Sequence, residues 1–125
     1  MSEVPHLAAG RAAEDHALAL LRAAGLKPLT RNYRCPQGEL DLVMRDGDTL
    51  VVIEVRFRHD SGFGGAADTV DRRKQAKLLR AAQHYLQRDA ALRRLPVRFD
   101  VVAVSGGAAG APRTEWIKDA FRVDF

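Results

Sequence analysis

Glu39 and Asp41 in Gly38-Glu39-Leu40-Asp41, and Glu54 with Arg56 in Glu54-Val55-Arg56, are the side chains whose types and spacing best suit chemistry. In a strand alternate residues share a face, so Glu39 and Asp41 point one way while Leu40, Leu42 and Met44 point the other. Glu54 and Arg56 likewise oppose Val55 and Phe57. Between the two sets stands Asp46-Gly47-Asp48, a hairpin signal. A turn at Gly47–Asp48 sets Asp41 opposite Glu54, and a turn at Asp46–Gly47 sets Glu39 opposite Glu54 with Asp41 diagonal on the same side. A regular three-residue loop shifts the ladder by one and separates the acids. Carboxylates gathered in mid-sheet repel one another and lose hydration, so such a cluster calls for a metal or a basic partner. Hard oxygen donors favour Mg²⁺ or Mn²⁺, ions that polarise a phosphodiester and acidify an attacking water. The alternative is a set of solvent-facing charges on an edge hairpin.

The elements that must position these residues follow from periodicity and breakers. Leu7, Ala13, Ala17, Leu20, Leu21 and Ala24 form a helical stripe over residues 7–24, which Gly25 stops. A strand is expected over 28–34, a turn at Pro36-Gln37-Gly38, an alternating strand over 39–44 and a β-branched strand over 49–57. A Gly-rich loop over 58–69 precedes a second helix over 70–88, with Val70, Leu78, Ala81, Ala82, Tyr85 and Leu86 facing inward. Residues 97–104 are almost continuously apolar, as in a strand buried on both faces. After a loop at 106–112, Trp116, Ile117, Ala120 and Phe121 are expected to pack a short final element back on the core. The order α-β-β-β-α-β describes one α/β domain over residues 1–125, in two or three layers.

Composition narrows the setting. The chain has 125 residues, 46% of them hydrophobic and 29% charged. That is a globular rather than a disordered balance. No apolar run approaches the roughly 20 residues that cross a bilayer, and Met1 to Gly10 lacks signal-peptide character. A lone cysteine, Cys35, forms no internal disulfide and fits a reducing compartment, so a cytoplasmic location with no membrane association is expected. The net charge of +4 favours polyanion partners mildly. Lysine occurs only at 27, 74, 77 and 118, and every other basic residue is arginine.

The run Arg31-Asn32-Tyr33-Arg34, Gly38-Glu39-Leu40-Asp41, Glu54-Val55-Arg56-Phe57-Arg58, Phe63-Gly64, Lys74-Gln75 and Arg98-Phe99-Asp100-Val101-Val102 resembles the YraN-type family of small bacterial proteins over nearly the whole chain. That family is similar to archaeal Holliday-junction resolvases and other nucleases bearing the PD-(D/E)XK signature. The resemblance implies a restriction-endonuclease-like αβββαβ core, a mixed central sheet flanked by helices, and a metal-dependent nuclease site. It makes Asp41 and Glu54 the signature acids and metal ligands, with the Val55 carbonyl a further ligand. Glu14 corresponds to the extra acid that resolvase-like members bring from the first helix, and Gln75 to a glutamine of the second. Arg56 stands at the signature lysine position. Arginine stabilises developing negative charge with a fork suited to phosphate, but its pKa above about 12 bars it from acting as a base. Lys74 could reach in from the second helix instead.

Arg72, Arg73, Lys74 and Lys77, with Arg80, form a basic side on the second helix suited to a phosphate backbone, or a solvated face. Arg31 and Arg34 beside Tyr33 could clamp and stack on nucleic acid, or Tyr33 could simply pack. Phe63 could close on DNA or anchor a turn, Asp100 could serve the matched family position or a structural hydrogen-bonding role, and the four histidines show no metal-pair spacing, with His59 the one nearest the expected site. The expectation is an endonuclease using Mg²⁺ or Mn²⁺ on DNA, including branched or structured DNA, with a homodimer by analogy because a junction needs two cuts. A nucleic-acid-binding module that has lost catalysis at Arg56, and a protein-interaction domain on the same fold, are the alternatives.

Overall fold

The computed structural model describes residues 5–58, 70–106 and 113–122. Its elements are α1 (Pro5–Ala23), β1 (Lys27–Cys35), β2 (Gly38–Asp46), β3 (Thr49–Arg58), α2 (Arg72–Leu86), β4 (Val97–Ser105) and β5 (Arg113–Phe121). The strands form one sheet in the order β1-β2-β3-β4-β5. Of the neighbouring pairs only β3 and β4 run parallel, so the sheet is mixed. A parallel neighbour requires a crossover, and α2 lies within it.

The helices take opposite faces. On one, Ala13, Ala17 and Leu21 of α1 cover Leu42, Met44, Val51, Ile53, Val102 and Val104. On the other, Leu78, Ala81, Ala82 and Tyr85 of α2 cover Leu40, Val43, Leu50, Val52, Phe99 and Val101. The three-layer form of the expected α-β-β-β-α-β order is therefore the one adopted. β4 is buried on both faces from Phe99 to Val104, as its apolar run predicts. The final element is a full strand rather than a short addition, because β4 would otherwise leave a long apolar edge unpaired. No helix among the described residues is long and apolar enough to cross a membrane.

Local chemistry sets the ends. Gly25 adopts φ 100°. That lets Leu26 N–H donate to Leu21 O at 3.0 Å while Gly25 N–H donates to Arg22 O at 3.0 Å. These are the paired bonds of a glycine-terminated helix. Asp71 caps α2 by accepting from Lys74 N–H at 2.8 Å. The cap starts the helix at Arg72 rather than at Val70. Asp46 pairs with Thr49, leaving Gly47, at φ 58°, and Asp48 as a two-residue turn.

One expectation about β2 is corrected. Leu40 does not share a face with Leu42 and Met44: it belongs to the core under α2, and they belong to the core under α1. Asn32, left-handed at φ 54°, lies between the Arg31–Leu42 and Tyr33–Leu40 pairs, abreast of Asp41. The alternation breaks at that kink. From there β2 continues beside β1, while its ladder with β3 ends at Leu42–Ile53.

Candidate functional site

The parting of β2 from β3 builds the site. Beyond Ile53 the next β3 residue whose backbone faces β2 is Val55, and it has no ladder partner there. The Asp41 carboxylate takes that place, its Oδ2 accepting from Val55 N–H at 2.9 Å. The N–H and C=O of one strand residue point the same way, so the Val55 carbonyl opens on the same gap. Glu54 and Arg56 alternate with Val55 toward the α2 face. The Gly47–Asp48 turn thus gives the register that sets Asp41 abreast of Glu54, although the two meet at the opened end of the hairpin and not as a ladder pair.

Glu54 is only 5% exposed. Its Oε1 lies 3.7 Å from Arg56 Nε and 3.7 Å from Lys74 Nζ, while its Oε2 is buried without a hydrogen-bond partner. Burial, and next the negative charge of Asp41, push the Glu54 carboxyl up to about 7 against the pull of Lys74 and Arg56. Asp41 is raised as well, chiefly by burial and further by Glu14 and Glu39, with the Val55 N–H and Lys74 opposing. Two acids held above their ordinary range, one with an unsatisfied buried oxygen, make a place where a cation is worth more than at the surface.

The donor set fits a hard divalent ion. No cluster of three or more His, Cys, Asp or Glu among the described residues is arranged to hold a metal. Two carboxylates and a backbone carbonyl remain, and Mg²⁺ is commonly held by one or two carboxylates, completed by water and substrate phosphate.

The other expected site residues divide. Glu14, half-buried on α1, lies close enough for its charge to raise Asp41. It also holds Arg31 Nε at 3.4 Å, and Asp15 holds Arg31 Nη2 at 2.6 Å, so Arg31 fastens β1 to α1. Arg34 lies 3.6 Å from Glu39 Oε2. Gln75 donates its amide to Val70 O at 3.0 Å, at the start of its own helix, while its neighbour Lys74 turns to Glu54. Arg72, Arg73 and Lys77 are exposed on α2. Tyr33 packs: its hydroxyl meets His84 Nδ1, and its ring stands edge-on to Tyr85 at 5.1 Å. Asp100 is a structural acid, holding Arg98, Trp116 and the Asp119 backbone. His16 bonds Thr114 at 2.7 Å. Phe63, Gly64 and His59 fall outside the described residues. Two contributors went unread in the sequence: the Val55 N–H that orients Asp41, and the kink at Asn32. The latter had a signal, since asparagine is a poor strand residue that tolerates the left-handed region.

A mixed sheet in αβββαβ order, helices on both faces and acids where two strands part define a restriction-endonuclease-like α/β protein. Within that class the chain matches the model of "Uncharacterised protein family UPF0102" over residues 13–104, and it belongs to that family. It is 55% identical to a UPF0102 protein of Pseudomonas entomophila over 114 residues, covering 90% of this chain and 92% of that one. A UPF0102 protein of Pseudomonas syringae pv. syringae is 52% identical over 113 residues, covering 90% of this chain and 92% of its own. One from Nitrosococcus oceani is 46% identical over 124 residues, covering 99% of each. The YraN-type resemblance is borne out, and the matched span contains Glu14, Asp41, Glu54, Arg56, Lys74 and Gln75.

Proposed function

We propose that the protein is a Mg²⁺- or Mn²⁺-dependent endonuclease that hydrolyses DNA phosphodiesters. The observation that carries this is the buried, partnerless Oε2 of Glu54 beside Asp41, at a gap onto which a backbone carbonyl also opens. Asp41, Glu54 and the Val55 carbonyl would hold the ion. It supplies a Lewis acid for a phosphodiester oxygen and a lowered pKa for the attacking water. The Val55 N–H fixes the direction of the Asp41 carboxylate. Lys74 and Arg56 each lie 3.7 Å from Glu54 Oε1. They put two positive charges beside the place where negative charge develops on the phosphoryl oxygens. Branched or otherwise structured DNA is supported by the likeness to junction resolvases, and a symmetric pair of chains would deliver the two cuts such a substrate needs.

The test is cleavage of duplex, single-stranded and four-way-junction DNA with and without Mn²⁺. Asp41→Asn and Glu54→Gln are expected to abolish cutting, and Arg56→Lys to preserve or raise it. A second reading, a nucleic-acid-binding module without catalysis, is favoured by one observation: Arg56 stands where a lysine is expected and its buried Nε makes no hydrogen bond. Binding without cutting under every metal condition would select it. Absence of nucleic-acid binding at low salt would leave a protein-interaction domain.

A further inference from the structure

Arg31, Arg34, Arg45, Arg98 and Arg122 each lie within 4 Å of a carboxylate. Among the described residues Arg22, Lys27, Arg93, Arg94, Arg113 and Lys118 lie on other elements than α2, are exposed and reach no described carboxylate within salt-bridge distance. What sets α2 apart is that such cations are gathered on one helix without an acid among them. From Arg72 to Arg88 the chain contains no acidic residue, and Arg73, Lys77, Arg80 and Arg88 are all exposed. None of these four has a carboxylate of the described residues within salt-bridge distance, whereas Lys74, on the inner border of the helix, reaches Glu54. Arg73, Lys77, Arg80 and His84 are spaced four, three and four residues apart, which puts them on one flank of the helix. Arg88 continues the row just past the helix end, its guanidinium 5.4 Å from the Tyr33 ring centre and 5.5 Å from that of Tyr85. The flank borders the β1–β2 hairpin, whose Gly38 lies against the Lys77 carbonyl.

Two physical points argue against a face tuned only for solubility. Cations at the first turn of a helix oppose its dipole, and α2 begins Arg72-Arg73-Lys74 with only the capping Asp71 to offset them. Helix stability alone would also favour acids three or four residues from Arg73, Lys77, Arg80 and Arg88, and there are none at those positions. The row instead suits an external polyanion. From Arg73 to Arg88 it spans about 22 Å at roughly 1.5 Å per residue, so its four arginines and lysines stand on average ~7–8 Å apart. It starts one residue from Lys74 at the carboxylate gap.

We infer that the flank Arg73–Lys77–Arg80–His84–Arg88 is the track along which a nucleic-acid backbone is held as it leads to the Asp41–Glu54 site. This rests on the reading of that site as one for phosphodiesters. The track is sequence-neutral, because its contacts are to phosphate.

The experiment measures binding of a fluorescent 30-mer duplex and a four-way junction between about 50 and 200 mM salt. It uses the Asp41→Asn protein in EDTA, so that binding is read apart from cutting. The triple change Arg73→Gln, Lys77→Gln and Arg80→Gln is compared with an equal loss of charge away from α2, at Arg22, Lys27 and Arg113. The α2 triple is expected to bind at least about tenfold more weakly near 0.1 M salt and to flatten the slope of log K against log salt by about 0.9 per lost phosphate contact, roughly two to three in all. The control triple is expected to change the slope by less than about 1. Equal effects of the two triples would overturn the track, as would an unchanged slope or no binding to either DNA. Competition by polyglutamate as strong as by DNA of equal charge would assign the surface to an acidic protein instead. Should the triple fail to fold by circular dichroism, the single changes decide, each expected to flatten the slope by about 0.9. Binding that depends on the track without cleavage by the unmodified protein would sink the nuclease and keep the track. Cleavage with track-independent binding would do the reverse.

Discussion

Glu54 and Asp100 are both buried acids on neighbouring parallel strands, and their surroundings differ in kind. Asp100, 1% exposed, is fully served by donors. Its Oδ1 accepts from Arg98 Nε and Asp119 N–H, each at 2.9 Å, and its Oδ2 from Arg98 Nη2 at 3.1 Å and Trp116 Nε1 at 3.0 Å. Asp46 takes a further Arg98 nitrogen at 3.1 Å. Glu54 has two cations, both beyond hydrogen-bond distance, and one oxygen with nothing. A buried charge that is completed by its own protein fastens strands together, here β4 to β5. One left incomplete carries a standing cost that an incoming ion can remove. The difference separates an acid completed by its own protein from one left incomplete, which is the acid the proposed function uses.

The same acid-to-amide change should therefore act oppositely at the two positions. Glu54→Gln or Asp41→Asn is expected to lower cleavage by about 10³-fold or more, equivalent to more than about 4 kcal/mol of barrier, with the circular-dichroism spectrum intact. Cleavage surviving at roughly a tenth of its rate would remove Glu54 from the site. Asp100→Asn is expected to cost about 3 kcal/mol in urea unfolding. The amide nitrogen must face two donors whichever way it turns. A loss under about 1 kcal/mol, the worth of one ordinary hydrogen bond, would erase the contrast.

The third prediction concerns pH. The Glu54 carboxyl rises from 4.5 unfolded to about 7 folded, so between these values the native state binds more protons than the unfolded one. Its stabilising share is complete below 4.5 and fades as pH climbs through about 7. In EDTA, Glu54→Gln should accordingly match the parent near pH 4 and exceed it near pH 8 by about 2–3 kcal/mol, as urea midpoints at the two values would reveal. Added Mn²⁺ should close that gap near pH 8 by stabilising only the parent. The smallest effect is at the margin of the Asp100 group. Trp116→Phe removes one of the four hydrogen bonds that reach this acid. It should cost about 1 kcal/mol, measured by the same unfolding.

Much of the framework can be read along the chain. The two-residue turn at Gly47–Asp48, the stop at Gly25 and the doubly buried run of β4 each arise from residues close in sequence, where backbone preference and periodicity act directly. The acid pair was legible for the same reason, since a tight hairpin brings residues 41 and 54 together through its register alone.

What escaped that reading depends on groups that meet only after folding. Nothing within β2 or β3 says that they part at Asp41 or that Leu40 crosses to the other core, where only Asn32 of β1 gives a hint, and nothing local says that residues 113–121 pair with β4 as a strand. Nor does sequence tell which cations are already paired. Arg31 finds two acids on α1, and Arg98 reaches Asp46 from 52 positions away. Along α2 it is Lys74 that reaches a buried acid, while the outer flank meets none among the described residues. Residue identity and spacing determine which element forms and which face is apolar. Desolvation and charge pairing are set by what arrives across the sheet, so the tertiary structure alone decides which charges are completed and which stay open to a ligand.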